Sequence, residues 1–163
     1  MPSGIPSACF GGTFTSPIGP ISILSNGDAI TRITFDTAPV GRSCAIVSET
    51  MHCLRRYFDG KQTDFQHIPL IYEGTAFQQA VWQALTRISY GKTLSYRDIA
   101  QAIGRPSAFR AVGQACNRNP IPMIIPCHRV VGSNGALTGF AGGISSKQWL
   151  LAHEQALTQQ HAA

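Results

Sequence analysis

Apolar and polar residues alternate loosely through positions 10–36, and the alternation is broken by turn-forming residues at Ser16-Pro17-Ile18-Gly19 and Asn26-Gly27-Asp28. A period of two with such breaks predicts short antiparallel strands, so the first 40 residues read as a small sheet. From Ser43 the period changes. Cys44, Val47, Met51, Leu54 and Phe58 fall on one helical stripe that stops at Asp59-Gly60, which places Cys44 in a core. Positions 61–74 carry breakers around Ile68-Pro69-Leu70 and predict a long connection, hence a domain boundary that leaves 1–74 and 75–163 as separate domains.

Thr75 has the character of an N-cap, and Phe77, Val81, Leu85 and Ile88 form the apolar face of the helix it opens, which runs to Tyr90-Gly91-Lys92. Ser95 with Asp98 three residues on is a capping-box start for a short helix that Gly104 and Pro106 end. Ser107 is then expected to cap a second helix, SAFRAVGQACNRN. Two short helices across a tight turn have the form of a helix-turn-helix, though a plain helical hairpin has the same pattern. Ile121–Ile125 reads as a short strand ended by Pro126, which puts Cys127 at an exposed strand edge. A glycine-rich loop and a last helix from Ser145 follow. The fold class is α/β in the broad sense and α+β in detail: a small N-terminal antiparallel sheet with a helix, then a mainly helical C-terminal domain.

Charge sharpens this division. The chain of 163 residues has a net charge of +5, but residues 1–75 hold five Lys/Arg against six Asp/Glu, while residues 76–163 hold eight against two, a net of +6. A basic half beside a nearly neutral one suggests a polyanionic partner, with nucleic acid first, against the plainer reading of ordinary surface cations. The second helix of the pair adds to this. It presents Ala108, Ala111, Gly113 and Ala115 around one long cation, Arg110, and so offers few polar groups for reading base edges. Close approach of its backbone to DNA fits better, with Arg110 as a wedge in the duplex or as a simple phosphate contact.

The candidate chemistry lies at Pro126-Cys127-His128-Arg129. A free thiol is only a few per cent ionised at neutral pH, so a nucleophilic Cys127 needs a base, and His128 serves if the chain turns between the two. The imidazole needs an acceptor. The basic half offers Asp98, already placed as a cap, and Glu154, which otherwise reads as a surface helix acid. Five cysteines, Cys9, Cys44, Cys53, Cys116 and Cys127, form no CxxC pair, which points to a reducing compartment. His67, Cys116 and His153 make no ligand pattern with Cys127, so neither a metal nor a cofactor is expected. On these grounds Cys127 remains a nucleophile or an inert buried thiol. The first residues lack signal-peptide character and no stretch approaches the roughly 18 apolar residues of a membrane span. A soluble protein away from membranes is expected, cytoplasmic in a bacterium or nuclear in a eukaryote.

Taken together, Pro126-Cys127-His128-Arg129-Val130, the preceding Asn119-Pro120-Ile121-Pro122 and the following Gly139-Phe140-Ala141-Gly142-Gly143 and Lys147-Gln148-Trp149-Leu150-Leu151-Ala152-His153-Glu154 resemble one family closely. It is the O6-alkylguanine-DNA alkyltransferases, or methylated-DNA–protein-cysteine methyltransferases. The resemblance runs from about Gly74 to Glu154, and reaches more weakly to Thr15–Pro20 and Tyr57–Gly60.

It implies that Cys127 takes an alkyl group from O6 of guanine, with O4 of thymine as a further candidate, and is left as a thioether, so that each chain acts once. His128 would activate Cys127 through a water, Glu154 would orient His128, Asn119 would brace the active-site turn, and Tyr96 would protonate the leaving guanine. The implied partner is double-stranded DNA carrying the lesion, bound by a monomer through the minor groove with the base flipped out. Arg110 would be the finger that replaces the base, with Ala111, Gly113, Ala115 and Ser133 beside the DNA. Val130, Phe140, Ala141 and Gly142 would line the substrate pocket. Phe140 departs from a tyrosine common in the family. A non-catalytic damage sensor, in which tryptophan typically replaces the cysteine, and an unrelated cysteine hydrolase are the competing readings.

Overall fold

A computed structural model describes residues 10–61 and 63–162, with side chains described to Thr158. Cys9 lies outside the described residues. Two compact units divide between Glu73 and Gly74.

In the first unit, strands β1 (Phe10–Ser16), β2 (Gly19–Ser25) and β3 (Ile30–Thr34) form an antiparallel meander in sequence order. The β1–β2 turn is closed by Ser16, whose Oγ accepts from Ile18 N at 3.1 Å and donates to Gly19 O at 2.8 Å. Gly19 sits at φ +103°, where a side chain would be strained. Asn26 Oδ1 accepts from the backbone N–H of Asp28 and Ala29, each at 2.9 Å, which fixes the next turn. Helix α1 (Ala45–Phe58) packs on β1 and β2. Its buried face is Val47, Thr50, Cys53, Leu54 and Tyr57.

That face is rotated from the expected stripe. Cys44 is the half-buried N-cap rather than a core residue, and Tyr57 joins the buried face, while Phe58 is half-buried with its ring edge-on to Phe14 of β1. Segment 61–74 is not free coil throughout. Ile30 N donates to Pro69 O and Ile71 N to Ile30 O, so Leu70 lies along β3 as a parallel bridge.

The second unit begins with α2 (Ala76–Leu85), closed at its start by a reciprocal capping box between Thr75 and Gln78. The helix ends at Leu85, short of the expected stop at Tyr90, and Ile88 reaches the core from the turn beyond it. Strand β4 (Leu94–Ser95) leads into α3 (Tyr96–Ala102), and α4 (Phe109–Asn117) follows a turn through Gly104 at φ +76°. Ser95 and Asp98 form the expected capping box.

Ser107 does not cap α4. Ala108 holds that position, and the Ala108 N–H is already bonded to Arg105 O at 2.9 Å, so the turn itself starts the helix. The Arg97 guanidinium lies 4.2 Å from the Phe109 ring centroid and ties α3 to α4.

Ile121–Ile125 is a tight buried turn and not a strand. Ile125 N bonds Ile121 O, Met123 takes φ 74°, and Pro120, Pro122 and Pro126 supply no N–H for a ladder. Cys127–Arg129 then forms a single 3₁₀ turn, and β5 (Val130–Val131) pairs in parallel with β4. Helix α5 (Ile144–Ala162) closes the unit. Among the described residues, no helix is long and apolar enough to cross a membrane.

Candidate active site

All ten residues from Ile121 to Val130 are buried. Cys127 is 5% exposed, so the expected exposed strand edge is replaced by a thiol set inside the fold. Asn119 braces the turn from within. Its Nδ2 donates to Ile125 O at 2.7 Å and its Oδ1 accepts from Ile121 N at 2.9 Å. Burial pushes the Cys127 thiol up to about 11, against the pull of Asn119 and of the Lys147 charge. At neutral pH that leaves roughly one molecule in ten thousand as thiolate, and the thiol needs a base to react.

The 3₁₀ turn places His128 and Arg129 on Glu154 of α5. His128 Nε2 lies 2.6 Å from Glu154 Oε2, and Arg129 donates from Nε to Oε1 at 2.8 Å and from Nη2 to Oε2 at 3.2 Å. Arg129 Nη1 also donates to Ile88 O, and Gly91 N donates to Glu154 Oε1 at 3.1 Å. Burial alone would raise the Glu154 pKa, but the hydrogen bonds and charges of His128 and Arg129 override it and hold the carboxyl well below its usual range. Burial lowers the pKa of His128, which keeps the imidazole neutral at pH 7. A carboxylate can only accept, so the His128 proton sits on Nε2 and the Nδ1 lone pair is free to take one. Nδ1 is buried and has no hydrogen-bond partner among the described residues.

A second polar group lies behind the thiol. Lys147 on α5 is fully buried, and its Nζ donates to Thr138 O at 2.9 Å and to Tyr96 Oη at 3.5 Å. Tyr96 Oη is 2.7 Å from Thr138 Oγ1, and burial is the main cause that raises its pKa. Desolvation lowers the pKa of Lys147, opposed by the fields of Cys127 and Cys116. Cys116, on α4, is buried and pushed up to about 12 by burial and by Cys127, so the second thiol stands near the first and is the more firmly protonated.

Of the residues expected at the site, His128 and Glu154 are hydrogen-bonded to each other, Asn119 braces the turn that carries Cys127, and Tyr96 bonds Thr138 and feels the field of Cys127. Phe140 lies edge-on to the His128 ring, with centroids 6.4 Å apart. Ala141 is exposed and Gly142 half-buried, both in the loop before α5. Val130, in the β4–β5 pair, is completely buried, main chain and side chain alike.

On α4, Arg110 is exposed and Ala111 and Gly113 are half-buried, with Gly113 against the Tyr96 ring; Ser133 is exposed in the Gly132–Gly135 turn. Ala115 is not at a DNA-facing surface. It is 2% exposed, and its carbonyl accepts the Trp82 indole N–H at 2.9 Å, because Val112, Ala115 and Cys116 form the helix's core stripe. Arg129 and Lys147 were missed as site residues. Arg129 stood beside Cys127 in the motif, but its partner is 25 residues away, and a lysine on a terminal helix reads as solvent-facing.

A buried thiol one residue from a carboxylate-bound imidazole, in the same unit as a helix-turn-helix, fits the class of DNA-directed transferases that use their own cysteine. The family model for the 6-O-methylguanine DNA methyltransferase DNA binding domain matches residues 76–156, and that for the same protein's ribonuclease-like domain matches residues 10–72. The chain belongs to the 6-O-methylguanine DNA methyltransferase family. It is 44% identical over 150 residues to the methylated-DNA–protein-cysteine methyltransferase of Haemophilus influenzae, covering 87% of this chain and 84% of that one. To the protein of that name from Methanosarcina barkeri it is 45% identical over 148 residues, covering 86% and 93%. The crystal structure of Mycobacterium tuberculosis OGT in complex with DNA superposes with a TM-score of 0.83 at 41% identity, covering 91% of this chain and 94% of that chain. As a member of this family the chain is a transferase that repairs alkylated DNA by passing the methyl group to a cysteine.

Proposed function

We propose that Cys127 is the acceptor, that it takes the alkyl group from O6 of guanine by direct displacement, and that each chain is consumed by one transfer. The observation that carries this reading is the His128–Glu154 pair at 2.6 Å, which leaves a buried imidazole with its Nδ1 lone pair free one residue from a protonated thiol. The thiol proton passes to Nδ1, directly or through one water, and Glu154 supports the imidazolium that forms. Sulfur bonds to the alkyl carbon as the carbon–O6 bond breaks, and the electron pair leaves with the guanine. Tyr96, held by Thr138 and Lys147, supplies a proton to that leaving group, while the Lys147 ammonium favours charge developing in the site. A thioester can be hydrolysed but a thioether cannot, so no second step restores the enzyme.

The target atom is hidden in a stacked duplex, and the reading therefore includes base flipping. In this reading α4 approaches the minor groove through Ala108, Ala111 and Gly113. Arg110, exposed at its N-terminal end, fills the place of the extruded base, Ser133 meets the backbone, and Phe140 packs on the guanine within a pocket edged by Ala141 and Gly142, with the buried Val130 behind them. The chain works as a monomer.

Cys127→Ser is expected to abolish transfer from a duplex bearing labelled O6-methylguanine while leaving affinity for that duplex within about threefold. Loss of both, in a folded variant, would make Cys127 a structural residue. Arg110→Ala is expected to slow transfer from duplex far more than reaction with free O6-benzylguanine, and equal losses would refute the finger.

A further inference from the structure

We propose that Glu49, Cys53 and His67, in the first unit, form a binding site for one thiophilic divalent cation, zinc being the ion whose chemistry fits best. The three residues come from two segments. Glu49 and Cys53 are four apart on α1 and share one face of it. His67 is delivered by segment 61–74, which is held on both sides of it: Asp64 Oδ1 accepts from Gln66 N at 2.7 Å, Ile68 is buried with its N–H on Phe65 O, and Pro69 bonds Ile30 of β3.

Their donor atoms are spaced as a tetrahedral ion requires. Bonds of about 2.3 Å to sulfur and about 2.0–2.2 Å to nitrogen and oxygen put sulfur about 3.6 Å from each lighter donor, and the two lighter donors about 3.4 Å apart. Cys53 Sγ is 3.6 Å from Glu49 Oε1 and 3.7 Å from His67 Nε2, and Nε2 is 3.2 Å from Oε1. The three distances therefore match one face of the coordination tetrahedron with shifts of a few tenths of an ångström. All three donors lie within 4.8 Å of one another.

The donor set selects the metal. Thiolate with imidazole suits zinc and its neighbours, and disfavours magnesium and calcium, which take oxygen. Charge also closes: a divalent ion with one thiolate, one carboxylate and a neutral imidazole sums to zero. Without a cation the cluster is a half-exposed His67–Glu49 ion pair, which contributes little to stability, beside a thiol pushed up to about 11 by burial and by Glu49. Binding would displace the Cys53 proton to solvent. Cys53 is 5% exposed while the Glu49 and His67 side chains are 50% and 53% exposed, so an ion enters from the solvent side and its fourth position is left to water. The expected role is a clip between α1 and segment 61–74. The sequence led to no metal being expected anywhere in the chain, and this site departs from that expectation, because Glu49, Cys53 and His67 are brought together only by the fold.

The test uses the full chain, stripped with chelator and titrated with zinc and with cobalt(II). One equivalent of metal is expected, cobalt giving a thiolate-to-metal charge-transfer absorption that Cys53→Ser removes and Cys127→Ser retains. His67→Ala changes a half-exposed side chain and should fold, yet weaken zinc at least about tenfold and abolish the rise in Tm that zinc gives the parent chain. Failure to bind a stoichiometric ion, a charge-transfer band that persists in Cys53→Ser, or unchanged zinc affinity and Tm shift in folded His67→Ala would each overturn the site. Should Cys53→Ser not fold, His67→Ala and Glu49→Gln decide alone.

Discussion

Glu154 carries more of the site than any other single residue, because one carboxylate holds both the buried His128 imidazole and a buried guanidinium. Replacing it with glutamine keeps the shape and removes the charge, which leaves Arg129 buried without a counter-ion. Glu154→Gln is expected to lose about 3–5 kcal/mol of stability in denaturant melts, and single-turnover transfer should slow by about a hundredfold or more. Both groups also set the acid limit. The folded pKa of His128 lies below its ordinary 6.5 and that of Glu154 below 4.5, so the native state binds fewer protons than the unfolded chain in that range. Their contributions are whole above those values and drain away as pH falls through the folded ones. Tm is therefore expected to drop first below about pH 6.5 and again below about pH 4.5; a Tm flat from pH 7 to pH 4 would contradict it. Cys127, His128 and Glu154 were legible as candidates because a thiol needs a base and a base needs an acceptor, but that chemistry left an inert thiol and a surface acid open, and the family resemblance is what chose between them. Lys147 was not, since nothing in its own helix says that its ammonium ends on Thr138 and Tyr96.

Helix starts were legible where the chemistry is local. Thr75 was legible as an N-cap and Ser95 with Asp98 as a capping box, each a side chain and a backbone three residues apart, and the structure adds Gln78 as the partner of Thr75; Ser107 read the same way, but the preceding turn starts that helix at Ala108 instead. Ser95→Ala is expected to cost about 1 kcal/mol and to loosen α3, measured by thermal melts and by hydrogen exchange at its first turn. Where the outcome depended on packing, the pattern misled. Small residues on α4 suggested one open face, but Val112, Ala115 and Cys116 follow the core spacing and Ala115 is covered by Trp82. Ala115→Leu should therefore destabilise the fold by about 1–3 kcal/mol through overpacking; an unchanged Tm with weakened DNA binding would restore it to the DNA-facing surface. The apolar run Ile121–Ile125 resembled a strand because apolar runs carry no periodic signature of their own, and its prolines were the signal that it turns.

Across the whole molecule the charge asymmetry gains weight from burial. In the second unit Arg129, Lys147 and Glu154 are interior, whereas Arg87, Lys92, Arg97, Arg105, Arg110 and Arg118 are exposed against the single exposed carboxylate of Asp98. Such a surface binds a phosphate backbone by releasing counter-ions, so affinity for duplex should fall linearly with log salt, by about 0.9 per phosphate contacted. A salt-independent affinity would remove the electrostatic part of the account. The division into a sheet-bearing unit and a helical unit was legible from the change of hydrophobic period, whereas the Glu49, Cys53 and His67 cluster was not, because its members meet only when segment 61–74 folds back along β3. The central claim is that Cys127 is consumed by one transfer, and peptide mass mapping after incubation with excess O6-methylguanine duplex tests it most directly. One methyl group on the peptide bearing Cys127, and no more lesions repaired than chains present, is the predicted result; methyl on Cys116 or another thiol, or repair beyond one lesion per chain, would contradict it.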